Sequence, residues 1–401
     1  MRINDRLDLT YCTNIHAGDS WDEVFHSLSE HALVLKSRLS PEHPFPLGLR
    51  LSDRASRELL SANRLAEFLE FQERTGLFVQ LLNGYPYGAF HGTHVKADVF
   101  APDWRTEERV AYTLRLVQLL QAVLPKGRDG GISTVPLSYK PWIQADDRAA
   151  RLEMVRNLAR VAAALVRADR DGGQKIRLEI EPEPDGLIEN SVEAISFFHD
   201  WLLPHGSFEL AAVLGISTEE AEEKMLEHIC VCFDTCHFAV AFEDAQSALG
   251  ALAAAGIRVG RVQLSSALAV SLPSEDIAAR LQPFVDSVYL HQVIERRPDG
   301  SLRRFRDLAD ALATAAGREP REWRIHFHVP LFASSFGTVG STQDYLARTL
   351  RHLLQEPLTS HMEIETYTWD VLPAALKLGL VDSIEREYRW VLDKTCARQP
   401  F

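Results

Sequence analysis

Short apolar runs alternate along this chain with longer segments whose apolar residues recur at helical spacing. The runs predict eight strands, at 9–14, 47–51, 77–83, 132–136, 176–181, 230–234, 259–265 and 361–367. The segments between them predict amphipathic helices, for example at 107–124 and 218–228. Strands that alternate with helices indicate a parallel sheet, and eight of them favour a closed barrel. The sequence therefore predicts a (β/α)8 TIM barrel.

One interval interrupts this alternation. A strand-like run from Val288 to Glu295 is followed by Pro298-Asp299-Gly300, a hairpin turn signal, and by a second run at 301–306. A short helix pattern comes next. We expect a hairpin-helix insertion at about 288–321 over the C-terminal face of a single domain that spans 1–401. A further strand candidate at 323–329 leaves open whether strand seven is 259–265 or 323–329.

The polar positions on the predicted strands are the main indication of a site. Alternation places Glu179 and Glu181 on one face of their strand and Glu363 and Glu365 on one face of theirs. Helices cover the outside of such a barrel, so these charged faces must point inward. The deeper carboxylates have a structural explanation, a buried network in which Arg177 and Arg261 neutralise Glu179 and Glu363.

Carboxylates at the C-terminal strand ends require another explanation, because active sites of these barrels lie there. Glu181, Asp234 and Glu365 all occupy such positions, and His237 follows Asp234 in the next turn. Three converging carboxylates repel one another unless a cation binds them. We therefore predict a divalent metal, Mg²⁺ or Mn²⁺, or Zn²⁺ if a histidine joins the ligands. The alternative for Asp234 is that it merely caps the next turn.

Other polar residues lie on the predicted active face, and we expect them to contact substrate: His16, Asn83, His94, Lys140, His291, His326 and His328. Several of these have a simpler alternative as ordinary loop or solvated side chains. His326 and His328 share one strand face, and two core histidines paired with inward carboxylates would give the same pattern.

Composition narrows the function classes. The chain has a net charge of −13, whereas a nucleic-acid-binding protein normally carries a basic surface. The longest apolar runs are too short for a membrane span, and the N-terminus has no apolar stretch of the kind that signal peptides carry. Five cysteines without CxxC spacing are typical of free thiols. We expect a cytoplasmic protein with a small polar substrate and without direct membrane insertion.

The strand-end motifs resemble those of the xylose-isomerase-like TIM-barrel superfamily, which includes ketose 3-epimerases, hydroxypyruvate isomerases, inosose dehydratases and endonuclease IV. The similar residues are Glu181, Asp234-Thr235-Cys236-His237, Gln263 and Glu365-Thr366. In the epimerases a Glu, an Asp, a His and a second Glu bind one divalent metal. The resemblance thus implies Glu181, Asp234, Gln263 and Glu365 as ligands here, with Gln263 in place of the usual His.

Longer strings resemble the EboE family, whose members are called metabolite traffic proteins. These strings are 9–16, 83–94, His326-Phe327-His328-Val329-Pro330 and 363–369. The operons of that family also encode a membrane protein and a cyclase-like enzyme, so the resemblance allows for pathway partner proteins. A homo-oligomer is also compatible with the sequence.

Three functions follow from these observations. The first is a metal-dependent isomerase or epimerase for a polyol, cyclitol or hydroxy-carbonyl metabolite. In it Glu181 and Glu365 transfer the proton, and His237 hydrogen-bonds a substrate oxygen. The second is a non-catalytic metabolite-binding or scaffold protein of a pathway. The third, an endonuclease IV-like phosphodiesterase, is disfavoured by the acidic charge and by Gln263.

Overall fold

The computed structural model describes residues 1–91, 95–285, 288–370, 372 and 379–396. Its strands, in chain order, are β1 (Asp8–Tyr11), β2 (Phe45–Arg50), β3 (Leu77–Asn83), β4 (Gly130–Thr134), β5 (Ile176–Ile180), β6 (Ile229–Asp234), β7 (Val259–Leu264), β8 (Leu268–Leu272), β9 (Val293–Arg296), β10 (Leu302–Phe305), β11 (Arg321–Ile325), β12 (Ser335–Phe336), β13 (Val339–Ser341) and β14 (His361–Ile364).

Eight of these strands form one parallel sheet, in the order β1-β14-β7-β6-β5-β4-β3-β2. A backbone bridge between Cys12 and Gly48 joins β1 to β2, so the sheet is nearly closed into a barrel. The predicted (β/α)8 fold is confirmed. Strand seven of the barrel is β7, which lies between β6 and β14.

The second candidate for strand seven, 323–329, falls on the end of β11 and the four residues after it. β11 pairs antiparallel with β8 and β9 in a separate six-stranded sheet. This sheet has the order β10-β9-β11-β8-β13-β12. It follows the C-terminal end of β7 and therefore lies at the mouth of the barrel. The expected hairpin is β9–β10, with Arg296 opposite Leu302. The predicted 288–321 segment supplies β9 and β10 at one edge of this sheet, whose strands run in the chain from Leu268 to Ser341.

Contacts across the mouth fix the inserted sheet in place. The amide nitrogens of Val95 and Lys96 donate to the carbonyl oxygen of Val288 at 2.9 and 3.0 Å. On another side, Gln292 Nε2 donates to the carbonyl oxygen of Pro184 at 2.9 Å. The insertion thus contacts the loops that follow β3 and β5, and it encloses the space above the strand ends.

The helices follow the predicted amphipathic segments. They are Trp21–Ser27, Leu33–Leu39, Asp53–Leu59, Ala62–Thr75, Glu107–Val123, Arg148–Gly172, Ser191–Phe197, Ser207–Leu214, Thr218–His228, Thr235–Val240, Ala245–Ala254, Ile277–Leu281, Leu308–Leu312, Gln343–Gln355 and Leu380–Cys396. π-helical turns at Leu28–Ala32 and Phe198–Gly206 join two pairs of them. Because these helices cover the barrel, all residues of strands β1 to β7 and β14 are buried.

A buried ion network forms the floor beneath the mouth. Arg261 contacts Glu179 through Nε and donates from Nη1 to Glu363 Oε2 at 2.7 Å. Arg177 does not join it and instead pairs with Asp129 at 3.2 Å, at the other end of the barrel. The network needs the space that glycine leaves, because a Cβ on Gly48 would stand 1.5 Å from Glu363 Oε1.

Candidate functional site

Three carboxylates converge at the C-terminal ends of the barrel strands. Glu181 follows β5, Asp234 ends β6 and Glu365 follows β14. One oxygen of each lies within 4.8 Å of an oxygen of the other two. All three residues are buried. We call them the carboxylate cluster.

Hydrogen bonds orient the carboxylate of Asp234. Asp234 Oδ1 accepts from Ser265 Oγ at 2.6 Å and from the amide nitrogens of Cys236 and His237 at 2.7 and 3.1 Å. Its Oδ2 and the Oε2 of Glu181 are buried without a hydrogen-bond partner in the described part of the chain.

Two amide side chains orient the third carboxylate. Asn14 and Asn83 donate from Nδ2 to Glu365 Oε1 at 2.9 and 3.1 Å. A carboxylate fixed in this way by neighbouring donors is typical of a prepared ligand or catalytic group.

Burial and mutual repulsion perturb these groups. Desolvation, with the nearby Asp234, raises the pKa of Glu181 well above its usual value. Desolvation, with Glu181 and Asp234, does the same to the pKa of Glu365. Burial alone would also raise the pKa of Asp234, but His237, His328 and hydrogen bonds outweigh it, and the pKa is lowered. Such opposed shifts within one cleft are typical of functional sites.

Gln263, the fourth ligand implied by resemblance, lies beside Asp234 in the register of β6 and β7. Its Oε1 accepts from Cys232 Sγ at 3.0 Å. Its Nε2 is buried without a partner among the residues described. Since the amide oxygen is occupied by the thiol, the ligand role of Gln263 stays a prediction.

Three histidines lie next to the carboxylate cluster. His237 Nε2 is 3.1 Å from His326 Nε2, which in turn is 3.3 Å from His328 Nε2. All three are buried. We call them the imidazole cluster. The two clusters adjoin, because Asp234 Oδ2 is 4.0 Å from His328 Nε2 and Glu181 Oε1 is 3.6 Å from His237 Nδ1.

A cavity opens above both clusters. Polar residues line its base and aromatic residues line its walls, among them Tyr85, Phe90, Tyr289 and Tyr367. A concave site with a few polar groups and aromatic walls is typical of small-molecule sites. The predicted residues that line it are Asn83, Glu181, His237, His326, His328 and Glu365.

The other predicted substrate contacts lie elsewhere. His16 lines a separate small pocket, stacks on His31 and lies 3.1 Å from the Tyr11 hydroxyl. Lys140 pairs with Glu189 at 2.7 Å and with Glu193 at 2.8 Å.

Two predicted contacts remain, and of these His291 is not among the described residues that line the cavity. His291 donates from Nδ1 to the carbonyl oxygen of His326 at 2.8 Å and stacks on Phe327. His94 lies outside the described residues.

Sequence reasoning did not single out four polar residues that line the cavity: Asn14, Lys96, Glu183 and Gln292. Asn14 ends a predicted strand and Glu183 comes just after one, so position alone could have suggested them. Gln292 lies in the insertion, where no strand pattern of the barrel could place it.

No protein-family model matches this chain, and no curated protein matches it either. Solved structures do. A xylose isomerase-like TIM barrel protein from Mycobacterium smegmatis, solved in complex with magnesium, is 11% identical with a TM-score of 0.52, over 98% of both chains. D-allulose 3-epimerase from Methylomonas sp. is 10% identical with a TM-score of 0.47, over 98% of this chain and 99% of that one.

A third similar structure is the probable 3-DHS dehydratase AsbF from Bacillus anthracis. It is 11% identical with a TM-score of 0.47, over 96% of this chain and 98% of that one. The chain thus has the fold of the xylose isomerase-like TIM barrels. Membership of the EboE family stays a prediction. Within the described residues, every helix is too short or too polar to cross a membrane.

Proposed function

We propose that this protein is a divalent-metal-dependent isomerase or epimerase that acts on a polyol, cyclitol or sugar-like hydroxy-carbonyl metabolite. The observation that carries the proposal is the carboxylate cluster, buried at the mouth of a barrel beneath a cavity lined by polar and aromatic side chains. Its setting would be a reducing cytoplasm, which agrees with the buried free thiols of Cys12, Cys230, Cys232 and Cys236.

The donor set fits a divalent cation. Two buried oxygens, Glu181 Oε2 and Asp234 Oδ2, have no partner among described residues, and a cation would satisfy both. Carboxylate oxygens favour Mg²⁺ or Mn²⁺. The similar Mycobacterium smegmatis protein was solved in complex with magnesium. When bound, such an ion would polarise a substrate carbonyl and its neighbouring hydroxyl.

The protein's own groups would move the proton. Carboxyl groups placed next to a substrate carbon can serve as general acid and base. Glu181 and Glu365 line the cavity and would act on the substrate carbon from different strands. The predicted role of His237 is to position a substrate oxygen.

Hydrogen exchange at carbon is a direct test, because an isomerase or epimerase that forms its intermediate by proton transfer exchanges a substrate hydrogen with solvent. Ketoses, inososes and hydroxypyruvate would be incubated with the protein and Mn²⁺ in D₂O and followed by NMR. We expect deuterium incorporation into at least one of them. Stoichiometric Mn²⁺ binding without exchange in any compound would favour the non-catalytic metabolite-binding protein.

A matched pair of variants locates the chemistry. Glu365→Gln keeps the shape of the side chain but removes its charge, and we expect loss of exchange with an unchanged circular dichroism spectrum. Glu356→Gln makes the same substitution at an exposed position before β14, at the opposite end of the barrel, and should retain activity. Full activity in Glu365→Gln would remove Glu365 from the mechanism.

A further inference from the structure

A second group of side chains that can bind a metal lies at the opposite end of the barrel from the mouth. It consists of Asp169, near the end of the helix Arg148–Gly172, and of Glu227 and His228, which end the helix Thr218–His228. One ligand atom of each lies within 4.8 Å of those of the other two. We call these three residues the basal cluster.

The basal cluster is separate from the carboxylate cluster at the mouth. His228 comes directly before β6, and Asp234 is the last residue of that strand. β6 has six residues, and at ~3.3 Å per residue a strand of this length puts roughly 20 Å between the two clusters. One ion cannot serve both. In barrels of this type the N-terminal face contributes to stability, whereas catalysis takes place at the mouth.

His228 is the fully buried member of the basal cluster, and the orientation of its ring is fixed. Its Nδ1 lies 2.9 Å from the carbonyl oxygen of Ile176. A carbonyl oxygen can only accept, so Nδ1 carries a hydrogen and donates it. Metal-bound histidines typically donate one ring N–H to such an oxygen and bind the metal through the other ring nitrogen.

The other ring nitrogen of His228, Nε2, is buried without a hydrogen-bond partner in the part of the chain that the structure describes. Asp169 Oδ2 lies 3.8 Å from it, which is too far for a hydrogen bond. A proton on Nε2 would therefore lack an acceptor, and a lone pair on Nε2 would lack a donor. Buried polar atoms rarely stay unpaired, and a cation between Nε2 and Oδ2 would satisfy both.

The spacing allows one ion to bind both atoms. With zinc bonds of ~2.0–2.2 Å to nitrogen and oxygen, two ligand atoms of one ion can be at most ~4.3 Å apart. The 3.8 Å between His228 Nε2 and Asp169 Oδ2 is within this limit. The side chains of Asp169 and Glu227 are 27% and 23% exposed. Their carboxylates can therefore adjust to an ion, and a water molecule can reach its fourth position.

Two lysines compete with a metal ion for Glu227. Lys175 contacts its Oε1, and Lys224 donates to its Oε2 at 2.9 Å. Both ammonium groups are positively charged, so they repel a cation that approaches this carboxylate. The basal cluster should therefore bind a cation more tightly when one of these lysines loses its charge.

We propose that His228, Asp169 and Glu227 bind a metal ion of the zinc type at the N-terminal face of the barrel. An imidazole nitrogen with two carboxylate oxygens suits Zn²⁺ better than Mg²⁺, which prefers oxygen ligands. The ion joins the ends of two helices next to the starts of β5 and β6, so its role is structural. The inference goes beyond the proposed function and does not depend on it.

Zinc binding tests the proposal without a substrate. The chelator-treated full-length protein would be titrated with Zn²⁺ by calorimetry, and circular dichroism would check that each variant is folded. We expect Asp169→Asn and His228→Gln each to lose one equivalent that Glu365→Gln retains. Asp171→Asn, at an exposed position in the same helix, is the matched control and should bind zinc like the native protein. Lys224→Gln removes a competing charge that is partly exposed, and it should bind that equivalent ~2–5-fold more tightly.

The possible results are distinguishable. Native stoichiometry and affinity in Asp169→Asn would overturn the basal site. An equivalent lost only in Glu365→Gln would also overturn it, and would leave the proposed function intact. An equivalent lost only in Asp169→Asn and His228→Gln would support the basal site and count against a cation at the mouth.

Two further results bear on the ligands. Unchanged or weaker zinc binding in Lys224→Gln would contradict Glu227 as a ligand and with it the proposed site. If the variants of Asp169 and His228 fail to fold, anomalous scattering from zinc-soaked crystals of the native protein decides. A zinc peak within bonding distance of His228 Nε2 would support the proposal, and no peak there would overturn it.

Discussion

Glu387 makes the stability of this protein depend on pH. It lies on the inner face of the helix Leu380–Cys396 and is fully buried. Its Oε1 accepts from Thr366 Oγ1 at 2.7 Å and from the amide nitrogen of Leu331 at 3.1 Å. Its Oε2 has no partner in the part of the chain that is described. Burial raises its pKa from 4.5 to about 8, despite both hydrogen bonds.

The sign follows from the proton count in the two states. Between pH 4.5 and 8 the folded protein keeps the proton on Glu387, whereas the unfolded chain releases it. The free energy of unfolding therefore falls as pH rises through this window. At ~1.4 kcal/mol per pKa unit, the shift corresponds to an upper limit of ~5 kcal/mol. The contribution is fully present below pH 4.5 and lost above pH 8.

Glu387→Gln removes this titration. The amide keeps the oxygen that accepts from Thr366 and Leu331, and its NH₂ group costs ~1–3 kcal/mol if it stays buried without an acceptor. That cost does not depend on pH. We therefore expect the variant to become more stable relative to the native protein as pH rises, by up to ~4 kcal/mol between pH 5 and 8.5.

Urea unfolding at pH 5, 7 and 8.5, followed by circular dichroism, measures the difference between variant and native protein. Other titrating groups cancel in that difference. Asp393→Asn, an exposed position on the same helix, is the control and should give a nearly constant difference. A pH-independent difference for Glu387→Gln would refute the reasoning, because it would mean that Glu387 titrates alike in both states.

Three further predictions concern the barrel mouth and its floor. Asn83→Ala removes a donor to Glu365 Oε1 and should weaken Mn²⁺ binding ~10–100-fold, as measured by calorimetry; unchanged affinity would show that Asn14 suffices. Gly48→Ala places a Cβ against Glu363 and should cost at least ~1–3 kcal/mol of stability in urea unfolding, so native stability would contradict the packed floor. Lys140→Ala breaks half-exposed ion pairs and should change stability by less than ~1 kcal/mol and leave Mn²⁺ affinity unchanged, whereas a large loss of affinity would return Lys140 to the site.

The sequence by itself was enough to predict the barrel and the end of the barrel at which its polar residues lie. Strand alternation has a period of two, so it reveals which side chains share a face without knowledge of the neighbouring strand. Glu181, Asp234 and Glu365 could therefore be predicted to lie at one end of the barrel. Their convergence follows from the closed parallel sheet, which brings all strand ends to one mouth.

Only the tertiary structure decided the pairings between distant segments. Val259–Leu264 and Arg321–Ile325 have similar strand patterns, and only their hydrogen-bonded neighbours show that the first belongs to the barrel and the second to the inserted sheet. Arg177 likewise has the same strand face as Glu179, yet it reaches Asp129 instead. Local patterns fix the direction of a side chain but not its partner across the fold.

The imidazole cluster depends on such distant contacts. His326 and His328 could be placed on one strand face, but their approach to His237 results from the way the inserted sheet folds back over the mouth. Their tautomers depend on Gln292 and on main-chain oxygens far away in sequence. A ring nitrogen presents a lone pair only when its partner nitrogen has an acceptor, and long-range folding alone supplies that acceptor.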